Sequence, residues 1–159
     1  MSNFIESKEF IGHLDSWLFK SNVKDSGWIY NNRNKIPSHF KVNNNFLYKG
    51  VFGIPELFDF RSGFVSLHGT ISFSEDEDVA RKFISDDAFK FRNSDGLRII
   101  IKKKFTSIVF DVYKYYLFYG EKKLLEMGFD EMNIDSMQKE KEVLVHNVKI
   151  YSKDFKIIR

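Results

Sequence analysis

Phe46-Leu47-Tyr48-Lys49-Gly50-Val51-Phe52 is the stretch at which the chain changes texture. Aromatic and β-branched residues dominate it, and Gly53 and Gly63 punctuate the residues after it, so it reads as a strand ending in turns. Upstream, Phe10, Ile11, Leu14, Trp17 and Leu18 recur at the spacing of one helical face, with Glu6, Lys8, Glu9 and Asp15 elsewhere. Residues 20–45 turn polar and carry Asn31-Asn32-Arg33-Asn34 and Asn43-Asn44-Asn45. Asparagine favours turns, so this part is expected to be mostly loop, with a short helix around Trp28.

Downstream, short strands are expected at residues 64–67 and 70–74, interrupted at His68-Gly69. Ser74-Glu75-Asp76-Glu77 then reads as a serine N-cap with an acidic first turn, opening a short helix through Phe83. Ile99-Ile100-Ile101 marks a buried strand, and 107–113 a further strand or turn. Residues 114–127 suit a helix stopped at Gly128, and an exposed loop is expected from Phe129. Strands should follow at 142–146, 148–151 and 155–158. Few helices and many short strands argue for an α+β domain. The expectation is one domain over 1–159, with a helical and loop part (1–45) on a β-rich core (46–159).

Composition narrows the chemistry. The chain has 159 residues, 43% of them hydrophobic and 18 of them Phe, which gives it enough apolar surface to fold. It has no cysteine, which removes disulfide frameworks, zinc ribbons, iron–sulfur clusters and cysteine nucleophiles together. No histidine spacing suits a metal, and no glycine-rich phosphate loop is present. No apolar run approaches the roughly 18 residues of a membrane span and no signal-peptide core opens the chain, so a soluble cytoplasmic protein is expected.

Three segments carry residues suited to a site. Gln138-Lys139-Glu140-Lys141-Glu142-Val143-Leu144-Val145 sets two glutamates two apart at a strand entrance, where side chains of equal parity share a face. Two carboxylates on one face can divide labour between orienting one substrate and deprotonating or stabilising another. Ser72-Phe73-Ser74 puts two hydroxyls on one face of an extended segment and Phe73 on the other. Tyr48-Lys49-Gly50 pairs a cation with a glycine that permits close backbone approach.

Taken together, in this order, the segments resemble the mono-ADP-ribosyltransferases of the arginine–serine–glutamate class, which include bacterial toxins, vertebrate ecto-enzymes and phage enzymes that modify host proteins. The family order is an aromatic–basic–glycine strand, a Ser-x-Ser strand and a Glu-x-Glu strand. The likeness covers residues 46 to about 158 and extends to Val79-Ala80-Arg81-Lys82-Phe83 and Glu142-Val143-Leu144. It implies a split, mostly antiparallel β core and NAD as substrate, with no metal. Glu142 would stabilise the oxocarbenium-like cation as nicotinamide leaves, and Ser72 would hold Glu142. Glu140 would handle the acceptor, where glutamate goes with arginine acceptors. Lys49 would stand where the family has arginine, a point charge in place of a bidentate fork. Tyr48, Gly50 and Ser74 would complete the NAD site, with Phe89 or Phe91 covering the nicotinamide. The loop 128–139, with Phe129 near its tip, would face the target. The implied partner is a host or target protein, with nucleic acid as the other acceptor class and an antitoxin or inhibitor as a further partner. The implied setting is a bacterial cytoplasm, with a phage gene as one source.

Two other readings compete. A degenerate transferase fold would serve as a non-catalytic binding module. His68-Gly69-Thr70 is half of a two-histidine phosphoesterase pattern, whose other half, His146-Asn147-Val148, lacks the hydroxyl. Lys102-Lys103-Lys104 with Phe105, and Lys122-Lys123 near Tyr115, Tyr116 and Tyr119, also suggest a basic–aromatic face for RNA.

Overall fold

A computed structural model describes residues 3–53, 63–85 and 97–158. Ser7 caps the first helix, α1 (Lys8–Lys20), its hydroxyl accepting from the Phe10 amide. Phe10, Ile11, Leu14 and Trp17 form its buried face, at the spacing the sequence shows. The stretch expected mostly as loop does hold a helix around Trp28, α2 (Val23–Asn31), nine residues long. Asn22 caps its start and Asn32 takes its end, so the asparagines mark helix termini rather than the absence of a helix. Asp25 ties α2 to α1, accepting from Ser16 at 2.7 Å and pairing with His13 at 2.9 Å. The aspartate sits between the serine and the histidine, so this is a clamp and not a nucleophilic triad.

Among the described residues six strands form one antiparallel sheet: β1 (Leu47–Gly53), β2 (Val65–Ser74), β3 (Leu97–Lys103), β4 (Phe110–Asp111), β5 (Glu142–Ile150) and β6 (Phe155–Ile158). Their order across the sheet is β4-β5-β2-β1-β3-β6. The interruption expected at His68-Gly69 is a bulge within a continuous β2, with Gly69 at φ 82° and its amide held by the Asn147 side chain at 2.8 Å. The central pairing is the weak one. β1 meets β3 over seven consecutive residues, yet its register with β2 is the single pair Tyr48↔Ser74. The sheet therefore divides into two halves, β4-β5-β2 and β1-β3-β6, joined at one rung.

Helices cover one face of each half. α1, α2, α4 (Val112–Met127) and α5 (Glu131–Glu140) bury Phe10, Phe110, Tyr115 and Leu144 over the first half. The Tyr115 hydroxyl is buried with them and donates to the Ile5 carbonyl at 2.6 Å. α3 (Glu77–Phe83) sets Ala80 and Ile84 on Tyr48 and Ile100 of the second half. On the opposite face both halves feed one cluster that includes Leu47, Phe73, Ile101, Val143 and Val145. Each such side chain contributes about 2 kcal/mol on burial, so the halves are bonded from behind and open in front.

Three local expectations are corrected. The cap of α3 is Asp76, which accepts from the Asp78 amide, and not Ser74. The loop expected at 128–139 is helix α5 over most of its length: Asp130 caps it, and Asn133, Ile134 and Met137 form its buried face. Phe129, expected near an exposed tip, is buried against Tyr115 with ring centroids 5.9 Å apart. It follows Gly128, whose φ of 108° turns the chain back onto α4.

Candidate functional site

The split between β1 and β2 is the floor of a cleft of about 690 Å³. Tyr48, Lys49 and Gly50 line it from β1, and Thr70, Ser72 and Ser74 from β2. α1 contributes Trp17, with Ser21 just beyond its end, and α3 contributes Val79, Ala80, Lys82 and Phe83. Lys139 and Glu140 from α5 and Glu142 from β5 close one end. Of the expected residues, Tyr48, Lys49, Gly50, Ser72, Ser74, Glu140 and Glu142 thus come together. Phe89 and Phe91 lie outside the described residues, and Phe129 is in the core.

The two glutamates converge by a different route from the one the spacing suggests. Glu140 ends α5 and Glu142 begins β5, with Lys141 between them at φ 46°. They do not share a strand face; a left-handed residue turns the chain so that both reach the cleft. The Ser74 hydroxyl secures this turn by donating to the Glu140 carbonyl while accepting from the Asp76 amide at 3.0 Å. The Glu75 amide donates to the Lys141 carbonyl at 3.1 Å. Ser74 is therefore a strut for the Glu140–Glu142 turn.

Glu142 is 7% exposed, and Trp17 Nε1 donates to both its carboxylate oxygens at 3.2 and 3.3 Å. Burial pushes its carboxyl up to about 7, and the Glu140 charge adds to this. Hydrogen bonds from Ser72 and Trp17 and the Lys49 charge pull the other way without cancelling the burial. Glu140 is raised too, by burial alone. Lys49 donates to the Ser72 carbonyl at 3.1 Å, filling a position that a β1 amide would take in an unbroken sheet. Burial lowers its pKa, and the Glu142 charge partly restores it.

Gly50 is required by packing. A Cβ there would lie 2.2 Å from the Ala80 carbonyl oxygen, so only glycine lets α3 lie this close to β1. Phe73 points away from the cleft into the shared cluster, 1% exposed, as its place between two serines predicts.

Two wall residues escape the sequence reading. Trp17 looks like one more core position of α1, and nothing local links it to a glutamate 125 residues on. Phe83 carries an exposed ring 6.0 Å from the Lys49 ammonium; its place at the end of the acidic-capped helix was the available signal. Elsewhere, Thr70 Oγ1 and His146 Nδ1 lie 3.0 Å apart and the His146 ring stacks on Tyr30 at 3.6 Å, while His68 is exposed on the bulge. Tyr115 is fully buried, which removes it from any basic–aromatic surface, and Phe105 is half-buried with its ring packed on Phe73.

Among the described residues no cluster of three or more His, Cys, Asp or Glu is arranged to hold a metal ion, and no helix is long and apolar enough to cross a membrane. Comparison with known proteins finds no matching family model, no matching curated protein and no matching solved structure.

Proposed function

We propose that the chain is an NAD-dependent mono-ADP-ribosyltransferase with a split sheet of that family's type, moving ADP-ribose to a macromolecular acceptor, protein arginine favoured over nucleic acid. The observation that carries this reading is the meeting of Lys49, Ser72, Glu140 and Glu142, from three separate segments, in one cleft. A volume of about 690 Å³ falls within the range of sites for extended organic ligands. Lys49, Lys82 and Lys139 line it and supply cations for a pyrophosphate, and Tyr48 and Phe83 supply flat apolar surface.

In this reaction the bond between ribose C1′ and the nicotinamide nitrogen breaks, and its electron pair leaves with neutral nicotinamide. The ribose becomes oxocarbenium-like, and the ionised Glu142 carboxylate stabilises that charge in a site shielded from water. Trp17 and Ser72 hold the carboxylate in one orientation, so no reorganisation is needed as charge develops. Glu140 accepts the proton that the acceptor nitrogen loses as it bonds to C1′. Because Glu142 acts ionised, the rate should fall as pH drops below about 7.

The test is incubation with NAD labelled in its adenylate half and a bacterial lysate, followed by separate protease and nuclease treatment. Label should enter a macromolecule, nicotinamide should be released, and Glu142→Ala should lower both by about 10²–10³-fold. A wild-type protein that neither transfers label nor releases nicotinamide would end the proposal. The non-catalytic alternative draws on one observation: Lys49 is committed to the Ser72 carbonyl and the carboxylate to Trp17. It predicts NAD-independent partner binding that survives Glu142→Ala.

A further inference from the structure

A second concavity, of about 460 Å³, lies apart from the cleft and is lined by Phe46, Lys102, Lys103, Lys104, Lys153 and Asp154. Four lysines face one carboxylate there. That excess of three equals the whole formal charge of the chain, leaving 21 basic and 21 acidic residues elsewhere. Only Lys103 is paired, with Asp154 at 3.0 Å; Lys102, Lys104 and Lys153 are exposed and have no carboxylate partner among the described residues.

The aromatic in this concavity is Phe46, and not the Phe105 beside the lysines in sequence. Phe46 is 43% exposed, and the ammonium groups of Lys102 and Lys104 lie 4.4 and 4.8 Å from its ring centroid. Two like charges are thus held within about 9 Å of each other, a span comparable to the screening length of about 8 Å at physiological salt. Both ammonium groups sit over the ring, so a base that stacks on Phe46 displaces a lysine from it, and the displaced cation is placed to meet a flanking phosphate. A flat membrane would not need a concavity, and a duplex offers no unstacked base to the ring. Glu75, held by Asn43 and Asn45 just before Phe46, is the acidic neighbour that any phosphate path must avoid.

We propose that Phe46, Lys102, Lys104 and Lys153 form a binding site for single-stranded nucleic acid, with a base stacked on Phe46 and the lysines on the flanking phosphates. The site stands independently of the transferase reading, since none of its residues lines the cleft.

The test is fluorescence anisotropy with labelled single-stranded RNA and DNA of about 12 nucleotides, the matching duplex, and phosphatidylserine vesicles, at about 50 to 200 mM salt. The single strands should bind more tightly than the duplex, with affinity falling as salt rises. F46A should weaken binding about tenfold and leave the salt slope unchanged. K102Q and K104Q should each reduce the slope by about 0.7. Thermal melts should match wild type, because all three side chains are exposed. Absence of single-strand binding, equal binding of duplex, binding to vesicles alone, or an F46A variant that binds as well as wild type would each overturn the proposal.

Discussion

Glu142 joins stability to pH in a direction opposite to most carboxylates. In the unfolded chain it ionises near 4.5, whereas in the fold burial holds the proton to about 7. Between those values the native state binds the extra proton, so stability falls as pH rises and levels off above about 7. The span corresponds to about 3 kcal/mol, less whatever Lys49 loses with its counter-charge. Glu142→Gln should accordingly melt higher than wild type at pH 8, and the gap should close by pH 5. Equal melting temperatures at both pH values would refute the burial account. Trp17→Phe removes a hydrogen bond that favours the ionised form and leaves a smaller aromatic ring in its place. The pH at which wild-type stability levels off should then move up by about one unit; a curve that does not move would show the indole bond to be idle.

At the scale of elements, α3 and β1 are fixed to each other by the absence of a side chain. Gly50→Ala places a carbon against the Ala80 carbonyl, a backbone atom with nowhere to go, so α3 must lift. The expected cost is about 1–3 kcal/mol in urea unfolding, together with weaker ligand binding, because α3 is a wall of the cleft. A variant as stable as wild type would contradict the close approach. This coupling was half legible in the sequence. Tyr48-Lys49-Gly50 announced a glycine with a purpose, but the partner that makes the purpose steric lies thirty residues on. The alternation of Ser72-Phe73-Ser74 was legible, because strand alternation is local, but the bond from Ser74 to the Glu140 carbonyl was not. The Glu140–Glu142 pair was legible as a pair and illegible as geometry: spacing of two means one face only if both residues are in the strand, and Lys141 in the left-handed region breaks that condition. Helix α5 was lost because its apolar signal is short; it buries Asn133 by bonding it to Asp15, a contact no periodicity reveals.

For the whole molecule, the division of the sheet sets where the backbone is soft. From Lys49 onward β1 pairs with β3 but not with β2, so amides directed into the split lack ladder partners. Such groups exchange hydrogen quickly in the free protein. If NAD occupies the cleft, protection should rise in β1 and β2 and leave β6 unchanged. Stability should increase by about 2.7 kcal/mol at a hundredfold excess over Kd. Uniform protection, or none, would place the ligand elsewhere.

The Tyr48–Ser74 rung has a mechanical meaning as well. Ser74 stands at this rung and is bonded to the turn that carries Glu140 and Glu142, so the two carboxylates are tied to the β2 side of the split. Lys49 and Phe83 stand on the other side, with β1 and α3. The rung is thus the one point where the wall that carries the acidic groups is laddered to the wall that carries the cation and the aromatic ring.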